Sequence, residues 1–227
     1  MNPSSAFIIV PAFNEHAVIC KTINELLDRG YSVVVVDDGS HLPQYSLIKH
    51  LPVHCLRHDV NLGQGAALQT GTEYALEQGA EFIVHFDADG QHLAADIAAL
   101  LVPLIKNDCD VVFGSRFLNN INTSVPLIKK IIIHTARYFH SFFTGILLTD
   151  AHNGLRAMNK NAALLLNITQ NRMAHATELL FLIQKHKLRL QEVRVTIVYT
   201  TYSLQKGQSS WNSIRIGFDL ILHKLFS

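Results

Sequence analysis

Short runs of branched apolar residues alternate along the first half of the chain with stretches in which apolar residues recur every three or four positions. The short runs are typical of buried strands and span residues 7–11, 32–37, 53–57, 82–87 and 110–114. The intervening stretches at 16–29, 64–78 and 94–107 have the spacing of helices. This alternation predicts an α/β fold, with a mostly parallel central sheet and helices on both of its faces.

The second half of the chain has a less regular pattern. It predicts helices at 126–148 and 160–187, a strand-like run at 190–199, a polar loop at 200–210 and an amphipathic helix at 211–226. The sequence contains no internal repeat and no low-complexity segment. We therefore expect a single domain that spans residues 1–227.

Polar segments follow the predicted strands of the first half. They occupy residues 11–15, 37–40, 61–65, 87–92 and 114–116, and they carry carboxylates, glycines and an arginine. In open α/β sheets, ligands bind outside the carboxyl ends of the strands. We therefore look for the chemistry of this protein at that edge of the sheet.

A pair of aspartates closes the fourth predicted strand. In an extended segment, Asp87, Asp89 and Gln91 point to the same side, so that three oxygen ligands converge. Hard cations such as Mg²⁺ and Mn²⁺ prefer oxygen ligands and keep open positions for phosphate oxygens. The alternative is a simple Asp-Gly turn at the end of a strand.

Three further features of this edge each allow two interpretations. Asp37 and Asp38 could accept hydrogen bonds from a ribose or a base, or could form a turn or helix cap. The backbone N–H groups of 61–65 could face an anion or a sugar, or belong to a plain turn. Arg116 and Arg156 could hold phosphate oxygens, or make surface salt bridges.

Composition narrows the class of function. The 19 Lys and Arg nearly balance the 18 Asp and Glu, which argues against nucleic-acid binding. Only 16% of the residues are charged and 48% are hydrophobic, which indicates contact with a membrane or a partner. Cys20, Cys55 and Cys109 show no paired spacing, as expected for reduced thiols in a cytoplasmic protein. We expect neither a signal peptide nor a membrane-spanning helix.

The polar segments together resemble a known family. In order, they read Pro11-Ala12-Phe13-Asn14-Glu15, Asp37-Asp38-Gly39-Ser40, Asn61-x-Gly63-x-Gly65, Asp87-x-Asp89-Gly90-Gln91-His92, Gly114-Ser115-Arg116 and Asp150-x-x-x-Gly154-x-Arg156. This set resembles family 2 glycosyltransferases, and most of all their polyprenyl-phosphate (dolichol-phosphate) mannose and glucose synthase branch. The resemblance covers residues 6–210. It implies a GT-A fold, Rossmann-like, and transfer with inversion at the anomeric carbon.

The resemblance also implies roles for individual residues. The donor, a UDP- or GDP-linked sugar, is expected to contact Pro11, Asn14, Glu15, Asp37, Asp38, Gly39, Asn61, Gly65, Asp87, Arg156 and Lys206. Asp87, Asp89 and Gln91 are expected to bind Mg²⁺ or Mn²⁺, and Asp89, Arg116 and Glu178 to act in catalysis. We expect a nucleotide-sugar-binding half at 1–117, an acceptor-side half at 118–210 and the amphipathic helix at 211–227. Gln64 departs from the family, whose members often carry Lys there.

The acceptor is inferred from a missing residue. Many relatives that use a hydroxyl acceptor carry a Glu-Asp pair, but here Leu179 follows Glu178. A phosphate monoester is already anionic and needs no general base, so the missing Asp favours a lipid-phosphate acceptor. Cations are expected near that phosphate, and the candidates are Arg116, Lys129, Lys130 and Lys206. The resemblance implies that the loop carrying Lys206 closes over the site.

Alternatives for the activity and its location remain open at this stage. The enzyme could instead glycosylate a sugar hydroxyl in cell-surface polysaccharide synthesis, with Glu178 as base, or the chain could be a non-catalytic nucleotide-sugar-binding subunit. A nucleotidyltransferase would require a basic Gly-rich loop near the N-terminus, which is missing. The apolar faces of 126–148 and 211–226 predict peripheral contact with the inner face of the membrane, or else packing on the sheet or a homo-oligomer contact.

Overall fold

A central mixed sheet organises the protein. The computed structural model describes residues 5–118, 141, 145–150, 153–172 and 174–198. Its strands are β1 (Ala6–Ala12), β2 (Ser32–Asp37), β3 (His54–Arg57), β4 (Phe82–His85), β5 (Val111–Ser115), β6 (Arg156–Asn159) and β7 (Leu190–Arg194). Their spatial order is β3-β2-β1-β4-β6-β5-β7. β6 runs antiparallel to β4 and β5, and the other pairings are parallel, which confirms the mostly parallel α/β sheet.

Helices cover both faces of this sheet. They are α1 (Ile19–Leu27), α2 (Tyr45–Ile48), α3 (Gln64–Glu77), α4 (Ile97–Ile105, after a 3₁₀ turn at Ala94–Asp96), α5 (Lys160–Leu165) and α6 (His175–Lys185). The buried apolar residues form two clusters: one includes residues of α1 and α4, and the other residues of α3, α5 and α6. Ile8 of β1 belongs to the first cluster and its neighbour Ile9 to the second, because successive side chains of a strand point to opposite faces.

Several predicted boundaries differ from the observed ones. The helix predicted at 160–187 is two helices, α5 and α6, separated by a non-helical segment. The strand predicted at 190–199 ends at Arg194, and an isolated bridge between His92 and Ile197 follows it in the described part of the chain. The sequence pattern did not reveal α2, whose four residues make barely one helical turn, or β6, whose residues Arg156–Asn159 contain no run of branched apolar side chains.

Two regions singled out by the sequence remain predictions. The apolar stretch at 126–148 lies outside the described residues, apart from 141 and 145–148, and so do the loop and helix predicted at 200–226. Lys129, Lys130 and Lys206 lie there too. Within the described part of the chain, no helix has the length and apolar character needed to cross a membrane.

A glycine permits close packing of α3 on the sheet. A Cβ atom added at Gly71 would lie 2.3 Å from Cγ2 of Ile9 and 3.1 Å from Cγ2 of Val36. Both neighbours are fully buried strand residues whose branched side chains have little freedom to move aside. The helix therefore approaches β1 and β2 more closely than any larger residue at position 71 would allow.

The first prediction concerns this contact. Gly71→Ala should lower the free energy of unfolding, because overpacking costs about 1–3 kcal/mol and the helix propensity gained is only about 1 kcal/mol. Urea denaturation measures the difference. Glu77→Ala, at an exposed position of the same helix, is the control and should change stability by no more than about 0.5 kcal/mol. A Gly71→Ala protein more stable than the wild type would contradict the close packing.

Candidate active site

The polar segments meet at one edge of the sheet. β1, β2 and β4 run parallel, so their carboxyl ends lie side by side, and the carboxyl end of β5 lies at the same edge. Because β6 is antiparallel to its neighbours, its first residue, Arg156, also lies there. Residues 153–156 are thereby brought next to 87–92, although more than fifty residues separate them in the chain.

Asp37 shapes the loop that follows β2. The side chain is 1% exposed, and its oxygens accept hydrogen bonds from the backbone N–H groups of Ser40 (3.0 Å) and Gln44 (2.9 Å). Nη1 of Arg57 completes the set at 2.8 Å. The loop also contains Gly39, whose φ of +72° and closeness to the backbone of Val60 leave no room for a side chain. Protein donors thus engage both oxygens of Asp37.

Asp38 fixes the loop before α3. Its carboxylate accepts hydrogen bonds from the N–H groups of Leu62 (3.0 Å) and Gly63 (2.7 Å) and from Nδ2 of Asn61 (2.9 Å). The ring of His58 contacts it at 2.8 Å. The N–H groups that the sequence suggested for an external anion therefore bind an aspartate of the same chain. This carboxylate provides the negative charge favoured at a helix N-terminus.

Gly65 serves packing in this structure. A Cβ atom at that position would lie 2.0 Å from the carbonyl oxygen of Gln170, so the glycine allows the segment before α6 to cross the start of α3. The predicted contact of Gly65 with a donor stays a prediction beside this packing role.

The segment after β1 interlocks with the loop after β2. Asn14 adopts a positive φ of 56°; its N–H donates to Oγ of Ser40 (2.9 Å), and its Oδ1 accepts from the N–H of His41 (3.1 Å). Pro11 and Glu15 flank it and are half-buried. These three predicted donor contacts therefore lie together beside the loop that Asp37 holds.

Asp87 and Asp89 lie just beyond β4, each with protein donors. Nε2 of Gln64 donates to Oδ1 of Asp87 at 2.7 Å, and Nε2 of His92 lies 3.4 Å from its Oδ2. The backbone N–H and Nε2 of Gln91 both donate to Asp89, at 3.0 and 2.6 Å. Gln91 contacts Asp89, and the predicted convergence of Asp87, Asp89 and Gln91 on a metal stays a prediction. The sequence pattern did not reveal Gln64 and His92 as partners of Asp87.

The electrostatics of this pair suit a cation. Burial raises the pKa of Asp87, but the hydrogen bond and charge of His92 and the charge of Arg156 outweigh burial, so the net shift is downward. Burial raises the pKa of Asp89, and the negative charge of Asp87 raises it further. Carboxylates that repel each other, with an amide beside them, form an oxygen-rich set that fits Mg²⁺ or Mn²⁺. Among the described residues, no three or more His, Cys, Asp or Glu side chains form a metal-binding group.

Arg116 is held at the same edge by Asp150. Its Nε and Nη2 donate to the two carboxylate oxygens at 2.7 and 3.1 Å, a bidentate pair. Glu192 of β7 in turn accepts from the N–H groups of Thr149 (2.8 Å) and Asp150 (3.1 Å). The Arg116 side chain remains 27% exposed. Sequence reasoning named Arg116 but missed Glu192, which comes from a distant strand and belongs to no motif.

Arg156 is buried, contrary to the sequence-based suggestions of a phosphate contact or a surface salt bridge. It is 2% exposed, and its guanidinium carbon lies 4.9 Å from the ring centroid of Phe113. Burial lowers its pKa to about 10, opposed by the negative charges of Asp87 and Asp150. The residue therefore acts as an internal cation between two carboxylates.

Glu178 is engaged by a loop. Its carboxylate accepts hydrogen bonds from the N–H groups of Thr169 (3.1 Å) and Gln170 (2.9 Å) and from the hydroxyl of Thr169. These bonds fix the segment before α6. Three protein donors therefore hold this carboxylate in place.

Two buried histidines lie beneath the edge. His85 of β4 contacts the hydroxyl of Thr72 through Nε2 (3.2 Å), and Nδ1 of His175 donates to the carbonyl of Arg172 (2.8 Å). Burial, and next the charge of Arg156, lower their pKa values to about 3 for His85 and about 4 for His175. Both rings are therefore neutral at physiological pH. The only sequence signal for either was a histidine inside an apolar strand.

Comparisons with known proteins agree with this architecture. Residues 7–165 match the family described as Glycosyl transferase family 2. The chain is 35% identical over 230 residues to an uncharacterised protein of Methanocaldococcus jannaschii, covering 100% of this chain and 95% of that protein. It is 32% identical over 240 residues to a UDP-N-acetylglucosamine–dolichyl-phosphate N-acetylglucosaminyltransferase of Methanococcus voltae, covering 96% of each.

A solved structure extends the comparison to the fold. Glucosyl-3-phosphoglycerate synthase from Mycobacterium tuberculosis, in complex with Mn²⁺, UDP-glucose and phosphoglyceric acid, superimposes with a TM-score of 0.64. The alignment covers 88% of this chain and 73% of that one. At 15% sequence identity, this similarity identifies the fold alone.

The second prediction concerns the buried histidines. Below their ordinary pKa of 6.5, His85 and His175 bind protons in the unfolded chain but not in the folded chain. The free energy of unfolding therefore has its full contribution from these two histidines above pH 6.5. It should decline by about 1.4 kcal/mol per pH unit for each histidine as the pH falls toward about 4. Chemical denaturation at a series of pH values measures this slope.

Variants separate the contribution of a buried histidine from that of the other titrating groups. His175→Leu should flatten the slope between pH 6.5 and 4.5, because one proton fewer is taken up on unfolding. His50→Ala, at an exposed position, should leave the slope as in the wild type. An unchanged slope in His175→Leu would mean that this ring is already charged in the folded protein.

Proposed function

Because the chain belongs to Glycosyl transferase family 2 and is a glycosyltransferase, we propose that it moves a hexose from a nucleotide-diphosphate sugar to a polyprenyl phosphate. This proposal depends on one observation: carboxylates and a fixed arginine lie at the same edge of the sheet. Asp87 and Asp89 lie there near β6, and the Arg116–Asp150 pair lies after β5. The name of the Methanococcus voltae relative, which states a dolichyl-phosphate acceptor and a UDP-linked donor, supports both substrates.

The proposed metal site consists of Asp87, Asp89 and Gln91. These residues would hold Mg²⁺ or Mn²⁺ through oxygen atoms, with further ligands from the donor diphosphate and water. When bound, the metal neutralises the negative charge that develops on the leaving diphosphate. Arg116, fixed by its bidentate pair with Asp150, supplies a positioned cation for donor or acceptor phosphates.

The proposed nucleoside site is the interlocked pair of loops after β1 and β2. Pro11, Asn14 and Glu15 would contact the nucleoside of a UDP- or GDP-linked donor. Asp37 and Asp38 contribute by fixing the loops around it, since protein donors engage their carboxylates. Gly39 and Asn61 belong to the same fixed loops. Such preorganisation reduces the entropy lost when a ligand binds.

We propose a phosphate acceptor because the candidate general base, Glu178, already accepts hydrogen bonds from the protein. Glu178 is held by Thr169 and Gln170, and the residue directly after it is Leu179 rather than an acidic residue. An ionised phosphate oxygen needs no proton removed and can attack the anomeric carbon directly. Attack opposite the leaving diphosphate is an in-line displacement and inverts the anomeric configuration. Transfer to a sugar hydroxyl remains the alternative outcome of the tests below.

Approach to a lipid acceptor requires a membrane-facing surface. We propose that the protein contacts the membrane peripherally, on its cytoplasmic face, through the apolar stretch at 126–148 and the amphipathic helix at 211–226. The loop that contains Lys206 would close near the acceptor phosphate. These segments form the proposed acceptor-side half with its C-terminal helix, and the donor half is residues 1–117.

The third prediction tests the metal-bound donor. Asp89→Asn should lower transfer to polyprenyl phosphate by about 10²–10³-fold, because it removes a charge that holds the metal at the leaving group. Radiolabel partitioning into the lipid phase, with Mn²⁺ and either UDP- or GDP-linked sugar, measures transfer. Asp108→Asn, at an exposed position after α4, is the matched control and should retain wild-type activity. Near-normal activity of Asp89→Asn in the presence of a chelator would refute the metal role.

The fourth prediction separates the two acceptor classes. With polyprenyl phosphate as acceptor, Glu178→Gln should lose less than about tenfold in kcat, because no proton has to be removed from an ionised phosphate. The amide oxygen keeps only part of the hydrogen bonds that the two carboxylate oxygens accept from Thr169 and Gln170. Removal of a general base costs about 10²–10⁴-fold. A loss in that larger range, with Glu77→Gln unaffected, would identify a hydroxyl acceptor and assign Glu178 as its base.

A further inference from the structure

The carboxylate of Asp87 fills the space that a side chain at position 154 would occupy. A Cβ atom added to Gly154 would lie 1.9 Å from Oδ2 of Asp87, 2.6 Å from Cγ and 2.9 Å from Oδ1. These are the three nearest heavy atoms, so the conflict is with this carboxylate. Gly154 does not share the positive φ of Gly63 and Gly90, so its backbone alone would accept an alanine.

The register between β4 and β6 explains this contact. His85 pairs with Arg156 in the antiparallel ladder. Asp87 lies two residues after His85, and Gly154 lies two residues before Arg156. The same register therefore brings Asp87 and Gly154 opposite each other. Side chains of directly opposed residues lie on the same face of an antiparallel pair. Asp87 thus lies over Gly154 and diagonally beside Arg156.

Arg156 supplies a charge to the same place. Its guanidinium group is 2% exposed, and its Nε has no hydrogen-bond partner among the residues that the structure describes. A buried cation of this kind is tolerated only when negative charges compensate it. The negative charges of Asp87 and Asp150 act on Arg156 and provide that compensation. Arg116 pairs with the same Asp150, so two cations and two carboxylates interact in this part of the site.

We propose that Gly154 and Arg156 are positioning residues that form a seat for Asp87: Gly154 leaves the space for its carboxylate and Arg156 supplies a fixed opposite charge beside it. The donor side chains of Gln64 and His92 reach the same carboxylate from other elements, so its orientation is set before any ligand arrives. The inference rests on the proposed role of Asp87 as a metal ligand. It assigns to Arg156 a role that requires no contact with substrate.

The seat predicts a loss of metal binding when its space is filled. In the full-length protein, Gly154→Ala should weaken Mn²⁺ affinity by about 10–100-fold, the usual effect of disturbing a residue that orients a metal ligand. Free Mn²⁺ measured by electron paramagnetic resonance, with Mn²⁺ alone and with added UDP or GDP, gives the affinity without any turnover. Wild-type affinity in a folded Gly154→Ala protein would overturn the seat.

A double-mutant cycle tests the same space in the absence of metal. Gly154→Ala should lower the melting temperature in the wild-type background, but it should cost little in an Asp87→Ala background, where the conflicting carboxylate is gone. If the added methyl group costs the same in both backgrounds, then it clashes elsewhere and the seat is wrong. The double-mutant cycle gives a result even if the single Gly154→Ala variant is too unstable for metal titration.

The charge of Arg156 is tested by a second cycle. Arg156→Met should destabilise the protein strongly, because it leaves buried carboxylates without their cation, and Arg156→Lys should restore part of the loss. In an Asp87→Asn background the cost of Arg156→Met should be smaller. An equal loss of stability on Arg156→Met in the two backgrounds would mean that Arg156 only packs, and would overturn the proposal that its charge positions Asp87.

Different results would refute the metal role of Asp87 and the seat formed by Gly154 and Arg156. If the wild-type protein binds no Mn²⁺, even with UDP or GDP present, then the metal role of Asp87 fails and the inference fails with it. If the wild type binds Mn²⁺ but neither cycle shows coupling to Asp87, then the proposed function stands and the seat alone is refuted.

Discussion

The burial of carboxylates at one edge of the sheet is the constraint on which the rest of this structure depends. Asp37, Asp38 and Asp150 are each no more than 5% exposed. A buried carboxylate is strongly destabilising unless donors surround it, and here most donors are backbone N–H groups or side chains of the adjoining loops. Each aspartate therefore fixes a loop, and the neutralisation of buried charge gives the edge its shape.

Asp87 and Asp89 differ from these structural aspartates. Asp38 is surrounded by backbone amides, an amide side chain and a histidine, whereas Asp89 is bonded only to Gln91 among the described residues and has a raised pKa beside a second carboxylate. The repulsion between these carboxylates would be relieved by a cation. The same strand ends thus yield aspartates that hold the loops and, in the function we propose, aspartates that hold a metal bound with the donor.

The sequence predicted the parts of this arrangement that depend on local pattern. Alternating apolar runs revealed the parallel strands, and the motif at 87–92 pointed to the edge of the sheet where Gln91 contacts Asp89. The roles of Asp38, Glu178 and Arg156 could not be predicted in the same way, because each depends on which partners the tertiary fold supplies. β6 shows this most clearly: Arg156 begins a four-residue antiparallel strand, and its burial against Phe113 is set by pairing with β4 and β5.

The central claim is that this edge transfers a sugar from a nucleotide diphosphate to a phosphate. Phosphorus NMR of a single reaction mixture, with donor, short-chain polyprenyl phosphate and Mn²⁺, follows every phosphorus atom at once. The account predicts that the phosphomonoester signal is replaced by a phosphodiester signal as nucleoside diphosphate appears in equal amount. Release of nucleoside diphosphate while the phosphomonoester signal stays unchanged would contradict it.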